Sequence, residues 1–481
     1  MAQHTVEKIG GTSMSDYAAV RDNIIRGGGR SGDDLYNRIF VVSAYGGITN
    51  YLLEHKKTGQ PGVYALFANA NDNDEDWREA LTEVGDRLRG INAELFRDEE
   101  KLEKANSFIN ERLEETERCL SDLERLCQHG HFALETHLNT VREMLASIGE
   151  AHSAWNTAEL LREEGINSRF VDLTGWNADA HLSLDDRIKK AFEKIDLARE
   201  MAIVTGYTHT ADGLMNSFDR GYSEMTFSRI AVLTGASEAV IHKEFHLSSA
   251  DPRLAGEDSV VPIGRTNYDV ADQLANLGME AIHPRAAKGL RQQEIALRIK
   301  NTFEPEHAGT LVTGDYVSDK PCVEIIAGRK NIYAIECFEQ NMMGEIHQYD
   351  RDLLSIISRM KGHIVTKDIT ANSITHYLAC NLKTVKRIRR DIEEKYPESS
   401  LQVRKVAIVS AIGSDMKVPG ILAKAVGALA EENISVLAVH QSMRQVDMQF
   451  VIDEDDYETA VKALHRGLVE VHDHGDAICA A

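Results

Sequence analysis

A lysine set directly before two glycines and two hydroxyl residues, in "KIGGTS" (8–13), is a combination suited to holding phosphate. Gly10 and Gly11 carry no Cβ, so their backbone N–H groups can turn together towards one anion. Lys8 adds a full positive charge, and Ser13 or Ser15 can cap the helix expected to follow. The order differs from a Walker A loop, where the lysine follows the last glycine. A tight strand-to-helix turn with a solvated lysine would read the same way, so the motif gains weight only in company. "VVSAYGGITN" (41–50) supplies it: Ser43 ends an apolar run, Gly46 and Gly47 follow, and Thr49 opens a helix-like stretch. Two such units on one sheet place two anion nests together at the carboxyl ends of the strands, where open α/β sheets bind ligands.

Two further stretches carry charge. "LASIGEAHSAWNTAELL" (145–161) reads as a helix bearing Gly149 and Glu150, and by spacing alone Glu150 reads as one more solvated acid. "NSFDRGYSEMTFSRIAVL" (216–233) sets Asp219, Arg220, Gly221, Ser223 and Glu224 at the entrance of an apolar helix. Arg220 can grip a carboxylate with both arms of its guanidinium. Ser223 and Glu224 occupy positions where helix caps belong.

Positioning these groups takes a scaffold of alternating strands and helices. "RIFVVSAY" (38–45) and "MAIVTGY" (201–207) are near-continuous apolar runs of the kind buried in parallel sheets. Between them, residues 72–146 contain no proline and read as amphipathic helices, "FINERLEETERCLSDLERL" most clearly. This βαβ cadence predicts an α/β fold, with a mainly parallel central sheet between helical layers. After "KPCVEIIAGRK" the pattern changes to two βαββαβ passages about 75 residues apart, a duplicated small α+β module with "PESS" (397–400) as the joint.

Composition narrows the function. The 481 residues suit two to four domains. Lys and Arg total 54 against 76 Asp and Glu, a net charge of −22 that argues against nucleic acid as a partner. No apolar run is long enough to span a bilayer and "MAQHTVEK" does not read as a secretory signal, so a cytoplasmic protein is expected. The six cysteines and 19 histidines show no metal-ligand spacing, and "HDHGD" near the end reads as a solvated tail. No metal site is expected.

Taken in order, the motifs resemble those of aspartate kinases. "KIGGTS" is similar to the family's KFGGTS, "VVSAYGGITN" to VVSAxxGxTN, "LASIGEAHSA" to LxSxGExxS and "FDRGYSEMTF" to GRGGSDxTA. "SADPR" (249–253) is similar to TxDPR, and "LGMEAIHPRA" (277–286) to FGAKVLHPxA. The trailing pair resembles the family's tandem ACT (ferredoxin-like) regulatory domains. "VEKIGGTSM" and "HKEFHLSSADPRL" resemble the branch associated with ectoine synthesis.

The resemblance implies a catalytic domain over 1–305, a linker over 306–329, and ACT modules over 330–396 and 400–470. Residues 471–481 form a tail that could complete an ACT sheet. It implies transfer of the γ-phosphoryl group of ATP, with Mg²⁺, to the β-carboxylate of L-aspartate. Lys8 and Glu224 would be catalytic, with Lys8, Gly10, Gly11, Lys243 and Arg253 on the nucleotide. Ser43 and Thr49 would lie near aspartate, Glu150 on its ammonium, and Arg220 on its α-carboxylate beside Ser223. An amino-acid effector would meet Asn341, Met342 and Gly344 in one module and Asp415 and Val418 in the other. A homodimer or higher even oligomer is implied.

The departures cluster on the nucleotide side. Glu224 stands for the family's shorter Asp, Lys243 for an acid, His246 for a glycine and Glu280 for a lysine. Lys243 and Glu280 thereby exchange signs, as though one loop supplies the cation the other has lost. The alternatives are a related kinase acting on glutamate or acetylglutamate, and an amino-acid sensor with a degenerate kinase domain.

Overall fold

The computed structural model describes residues 3–56, 58–69, 75–129, 131–176, 182–218, 221–279, 281–470 and 477, with the side chains of Asn216 and Ser217 excepted. It divides into two compact units: residues 1–246 with 282–314, and residues 247–281 with 315–481. The sequence reading gave 247–281 to the catalytic domain. In three dimensions those residues pack with the C-terminal modules, where Ile263, Val270, Leu274 and Leu277 share a core with strand residues of the second unit.

In the first unit, β1 (Thr5–Ile9), β2 (Arg38–Val42), β3 (Ser168–Val171), β4 (Met201–Thr205) and β5 (Glu238–Lys243) are parallel. The short β6 (Arg265–Asn267) falls in the second unit. β7 (Ala296–Asn301) runs parallel to β5, and β8 (Thr310–Thr313) antiparallel to β7. The order within the unit is β3-β4-β2-β1-β5-β7-β8. Every residue of β2 and β4 is buried, as expected of strands covered on both faces.

One buried charge on β1 ties its two neighbours. Glu7 accepts from Arg38 Nε at 2.7 Å and Nη2 at 3.0 Å, and its Oε2 lies 2.8 Å from His242 Nε2. Arg38 also donates to the carbonyls of Ile24 and Ile25. Burial alone would raise the Glu7 carboxyl, but Arg38 and His242 hold it far below the usual carboxylate range. A slip of one residue between β1 and β2 would turn Glu7 away from Arg38, so the pair specifies register.

The second unit holds one antiparallel sheet in the order β10-β11-β9-β12-β14-β13. Its strands are β9 (Ile325–Phe338), β10 (His363–Ile369), β11 (Ser373–Ala379), β12 (Ser400–Ile412), β13 (Val436–Gln441) and β14 (Asp447–Asp453). β9 and β12 pair along almost their whole lengths and serve both modules. The end of β9 and the start of β12 complete the first module. Ile325–Arg329 of β9 then lie against Ile408–Ile412 as the fourth strand of the second module. The expected linker 306–329 therefore ends in sheet, and the first module is inserted within the second. Of the tail given the role of completing a sheet, only Ala477 lies within the described residues, where its carbonyl accepts from Gly264 N–H at 2.9 Å.

Replacing Arg38 by alanine leaves Glu7 buried with His242 as its remaining partner. Breaking such a pair costs about 3–5 kcal/mol. The urea midpoint of Arg38→Ala at pH 7 is expected to fall accordingly, and an unchanged midpoint would show that the pair does not hold the sheet.

Candidate active site

The carboxyl ends of the central strands are brought level by backbone bonds. Gly10 N–H donates to His242 O at 3.1 Å, Ser43 N–H to Ile9 O at 3.1 Å, and Gly206 N–H to Val42 O at 2.9 Å. The two glycine pairs then meet. A Cβ on Gly11 would fall 2.7 Å from Ala44 O, so only glycine permits the approach. Ser15 clasps the loops: its hydroxyl donates to Gly11 O at 3.3 Å and accepts from Gly46 N–H at 2.9 Å. Neither Ser13 nor Ser15 caps the helix Gly11–Met14, whose N-cap Gly10 has no side-chain bond. Ser13 instead meets Thr302 Oγ1 at 2.8 Å, tying the first loop to the end of β7.

Glu150 sits in the helix Leu138–Glu163, where the ten residues Leu145–Ala154 are all buried. Gly149 lets this helix press on the second loop, since a Cβ there would lie 2.8 Å from the Ala44 Cβ. Glu150 is 2% exposed. Its Oε1 accepts from Ser223 Oγ at 2.6 Å. Its Oε2 is fully buried and makes no hydrogen bond of good geometry among the described residues. Burial pushes the carboxyl up to about 8, despite the Ser223 hydroxyl, the Lys8 charge and the nearby N–H groups of Tyr207 and Ala44. Glu150 is therefore a deep acid with one oxygen lacking a hydrogen-bond partner, not the solvated residue that spacing suggests.

Lys8, on β1, lies 3.6 Å from Glu224 Oε1. Burial alone would raise Glu224, but the charges of Lys8 and Lys243 and the His283 N–H outweigh it and hold the carboxyl below its usual value. Ser223 and Glu224 do not cap their helix, Tyr222–Thr234. Gly221 is its N-cap without a side-chain bond, and both side chains turn into the site. Gly221 is required there, because a Cβ would come within 2.6 Å of the His283 ring.

Lys8, Gly10, Gly11, Ser43, Glu150, Ser223, Glu224 and Lys243 thus gather at one end of the sheet. Ser43 is half-buried, with its carbonyl held by Ser153 Oγ at 2.8 Å, and Thr49 is half-buried in the helix Ile48–Leu52. Asp219, Arg220 and Glu280 lie outside the described residues. Arg253 belongs to the second unit, exposed in a short helix capped by Asp251. In the first module, Met342 is fully buried with Ile335 and Leu353, whereas Asn341 and Gly344 are exposed. Asp415 caps the turn at Lys417 N–H (3.0 Å), and Val418 packs against the core of the second module.

Three contributors were given no such role in the sequence reading. His283 supplies the N–H to Glu224. Glu143, on the Glu150 helix, accepts from Tyr207 OH at 2.5 Å and from Met215 N–H at 2.7 Å, fixing the start of the segment that leads to Arg220. Ser15 is the clasp. His283 left a trace in its place within the "HPRA" motif, and Ser15 was read as a helix cap.

Residues 3–301 match the amino acid kinase family and residues 409–468 match an ACT domain. The chain is 59% identical over 478 residues to the aspartate kinase Ask_Ect of Stutzerimonas stutzeri (strain A1501), spanning 99% of this chain and 100% of that one. Among solved structures, E. coli aspartokinase III in complex with aspartate and ADP (R-state) matches with a TM-score of 0.71 at 21% identity, over 97% of this chain and 99% of that one. The same enzyme with lysine and aspartate (T-state) matches at 0.68 and 20%, again over 97% and 99%. These two likenesses establish the fold.

The Glu150 environment has a measurable consequence without any ligand. A carboxyl raised to about 8 in the folded chain but ordinary when unfolded stabilises the fold below the unfolded value, and this contribution is lost as pH rises to about 8. Glu150→Gln is expected to gain stability relative to the parent between about pH 5 and 8, by up to about 4 kcal/mol, and to level off above. Parallel Tm–pH curves would contradict the burial.

Proposed function

The chain belongs to the aspartate kinases of the amino acid kinase family, and on that premise we propose how its residues carry the γ-phosphoryl group of ATP to the β-carboxylate of L-aspartate, giving 4-phospho-L-aspartate. The observation that carries the proposal is the unpaired, buried Oε2 of Glu150 beside Ser223 and Lys8. An amino acid's ammonium group is the cation this oxygen lacks. Arg220, two residues before the Tyr222–Thr234 helix, takes the α-carboxylate. The β-carboxylate then points towards the glycine loops.

A carboxylate with a pKa near 4 is ionised at neutral pH, so the reaction needs no general base. It needs in-line placement and neutralisation of charge on the transferring group. Lys8 and the Gly10–Gly11 backbone meet the phosphates, and Glu224 holds the Lys8 ammonium in position. Lys243, whose charge already reaches Glu224, supplies a second cation on the nucleotide side. The nucleotide enters as MgATP, with Mg²⁺ as part of the substrate. Among the described residues no group of three or more His, Cys, Asp or Glu could hold a metal. The kinship with Ask_Ect supports the ectoine branch as the pathway served. An amino-acid effector at the turn around Asn341 and Gly344, or at the loop around Asp415 and Val418, is proposed by analogy with the lysine-bound aspartokinase. No helix of the described residues is long and apolar enough to cross a membrane.

A hydroxylamine trap tests the assignment. With MgATP, aspartate and not glutamate or acetylglutamate is expected to give the acyl hydroxamate. In this assay Glu150→Gln raises the KM for aspartate by about 100-fold, the order expected for a charge-assisted contact. Lys243→Ala raises the KM for ATP and leaves that for aspartate unchanged. No hydroxamate from any acid would contradict the activity, and an unchanged aspartate KM in Glu150→Gln would contradict the pocket.

A further inference from the structure

The helix that carries Glu150 presents a second acid to the same side of the site. Glu143 lies two helical turns before Glu150, so both project from one face of the helix Leu138–Glu163. Glu143 is 6% exposed. Its two oxygens are divided between two points of one connection, the chain that runs from the end of β4 to the helix Tyr222–Thr234. Oε2 accepts from Tyr207 OH at 2.5 Å near the start of that connection, and Oε1 accepts from Met215 N–H at 2.7 Å further along it. Burial and the adjoining Glu143 charge push the Tyr207 hydroxyl far above its usual range, so it stays protonated and is the donor.

Both anchored points adjoin the residues around Glu150. The Tyr207 N–H lies beside the Glu150 carboxyl. Gly206, just before it, is packed so closely that a Cβ there would fall 2.9 Å from Glu150 Oε2 and 3.0 Å from Ser223 Cβ. The Tyr207 ring meets the Tyr222 ring edge-on at 5.6 Å, and Tyr222 directly precedes Ser223. Met215 sits in the first turn of the helix Leu214–Phe218, whose five residues are too few to hold a helix on their own. The first N–H groups of a helix have no partner within it, and here one of them is met by an acid on another helix. Leu214 and Met215 are buried in the same core as Tyr207 and Tyr222. One carboxylate therefore ties both ends of this stretch to the Glu150 helix.

We propose that Glu143 is a positioning residue for the aspartate seat: by holding Tyr207 and Met215 to the Glu150 helix, it sets the spacing between the group that takes the ammonium and the segment that takes the α-carboxylate. The inference rests on the proposed placement of aspartate between Glu150 and Arg220, which follows the helix Leu214–Phe218 in sequence. An amino acid bound at both ends senses that spacing directly, because a seat displaced by about 1 Å holds only one end of the substrate well. The nucleotide does not sense it. The first glycine loop is tied to the ends of β5 and β7, by Gly10 N–H on His242 O and by Ser13 on Thr302, rather than to Glu143.

The test is the steady-state kinetics of the full-length protein, read as acyl hydroxamate from aspartate. Glu143→Leu removes both bonds and is expected to raise the KM for aspartate by about 10- to 100-fold, the range for losing charged hydrogen bonds, with the KM for ATP unchanged. Glu143→Asp keeps the charge but is one methylene shorter, so an intermediate rise is expected. Glu143→Gln restores both contacts, since its amide oxygen accepts from Met215 N–H and its amide nitrogen donates to the Tyr207 oxygen, and its aspartate KM is expected near the parent's. Val141→Ala opens a cavity on the same helix and is expected to lower Tm without moving either KM. An unchanged aspartate KM in Glu143→Leu, or in Glu143→Asp where the leucine variant does not fold, overturns the proposal. So does a rise in both KM values together, or the same aspartate shift in Val141→Ala, since either marks a purely structural role. A parent that yields no hydroxamate overturns the aspartate reading and this proposal with it. A raised aspartate KM in Glu150→Gln beside an unchanged one in Glu143→Leu overturns this proposal alone.

Discussion

A buried carboxyl whose nearby lysine charge does not offset its burial is the constraint around which the first unit is organised. Two of the acids buried there are driven in opposite directions. Glu7 is met by Arg38 and His242 and is held ionised, so its charge serves the sheet. Glu150 is buried as deeply, yet one of its oxygens is left unpaired and its carboxyl is raised. Removing a charged group from water is costly unless a partner replaces the lost hydration. In the proposed function the fold retains this group for a ligand, in keeping with the concentration of perturbed carboxyls at functional sites.

Keeping Glu150 in place explains several glycines at once. Gly149 admits its helix to the second loop, Gly206 leaves room beside its Oε2, and Gly221 makes way for the His283 ring. The loops carrying Gly10–Gly11 and Gly46–Gly47 close on each other through Ser15. The proposed substrate and phosphate seats are thus coupled through Ala44, which lies against Gly11 on one side and Gly149 on the other. In the proposed reaction this coupling sets the geometry of attack, since positioning is most of what phosphoryl transfer to an ionised acceptor requires.

Much of this was legible in the residues, for identifiable reasons. Parallel strands buried on both faces leave continuous apolar runs, and "RIFVVSAY" and "MAIVTGY" became β2 and β4. Glycine pairs after such runs marked the loops. The depth of Glu150 was hidden because a helix buried on all sides loses the polar stripe that reveals orientation, and a lone acid in it resembles a surface residue. Ser223 and Glu224 were legible as caps, but the capping site fell to a glycine and their side chains were free to turn inward. Pairings across long separations, such as Ser15 with Gly46 or Glu224 with His283, leave no local pattern. The sharing of β9 between two modules was equally hidden, because one strand of 14 residues reads as a single element. The grouping of 247–281 with the C-terminal modules likewise depends on packing that no local run records.

The central claim is that Glu150 is neutral in the free protein and becomes charged when an ammonium group arrives. Calorimetric titration of aspartate at pH 7, with MgADP present and in buffers of different ionisation enthalpy, counts the protons exchanged. With the carboxyl near 8 before binding, release of close to one proton per aspartate is predicted, and none from Glu150→Gln. Binding without proton release, or with the same release from the variant, would contradict the account.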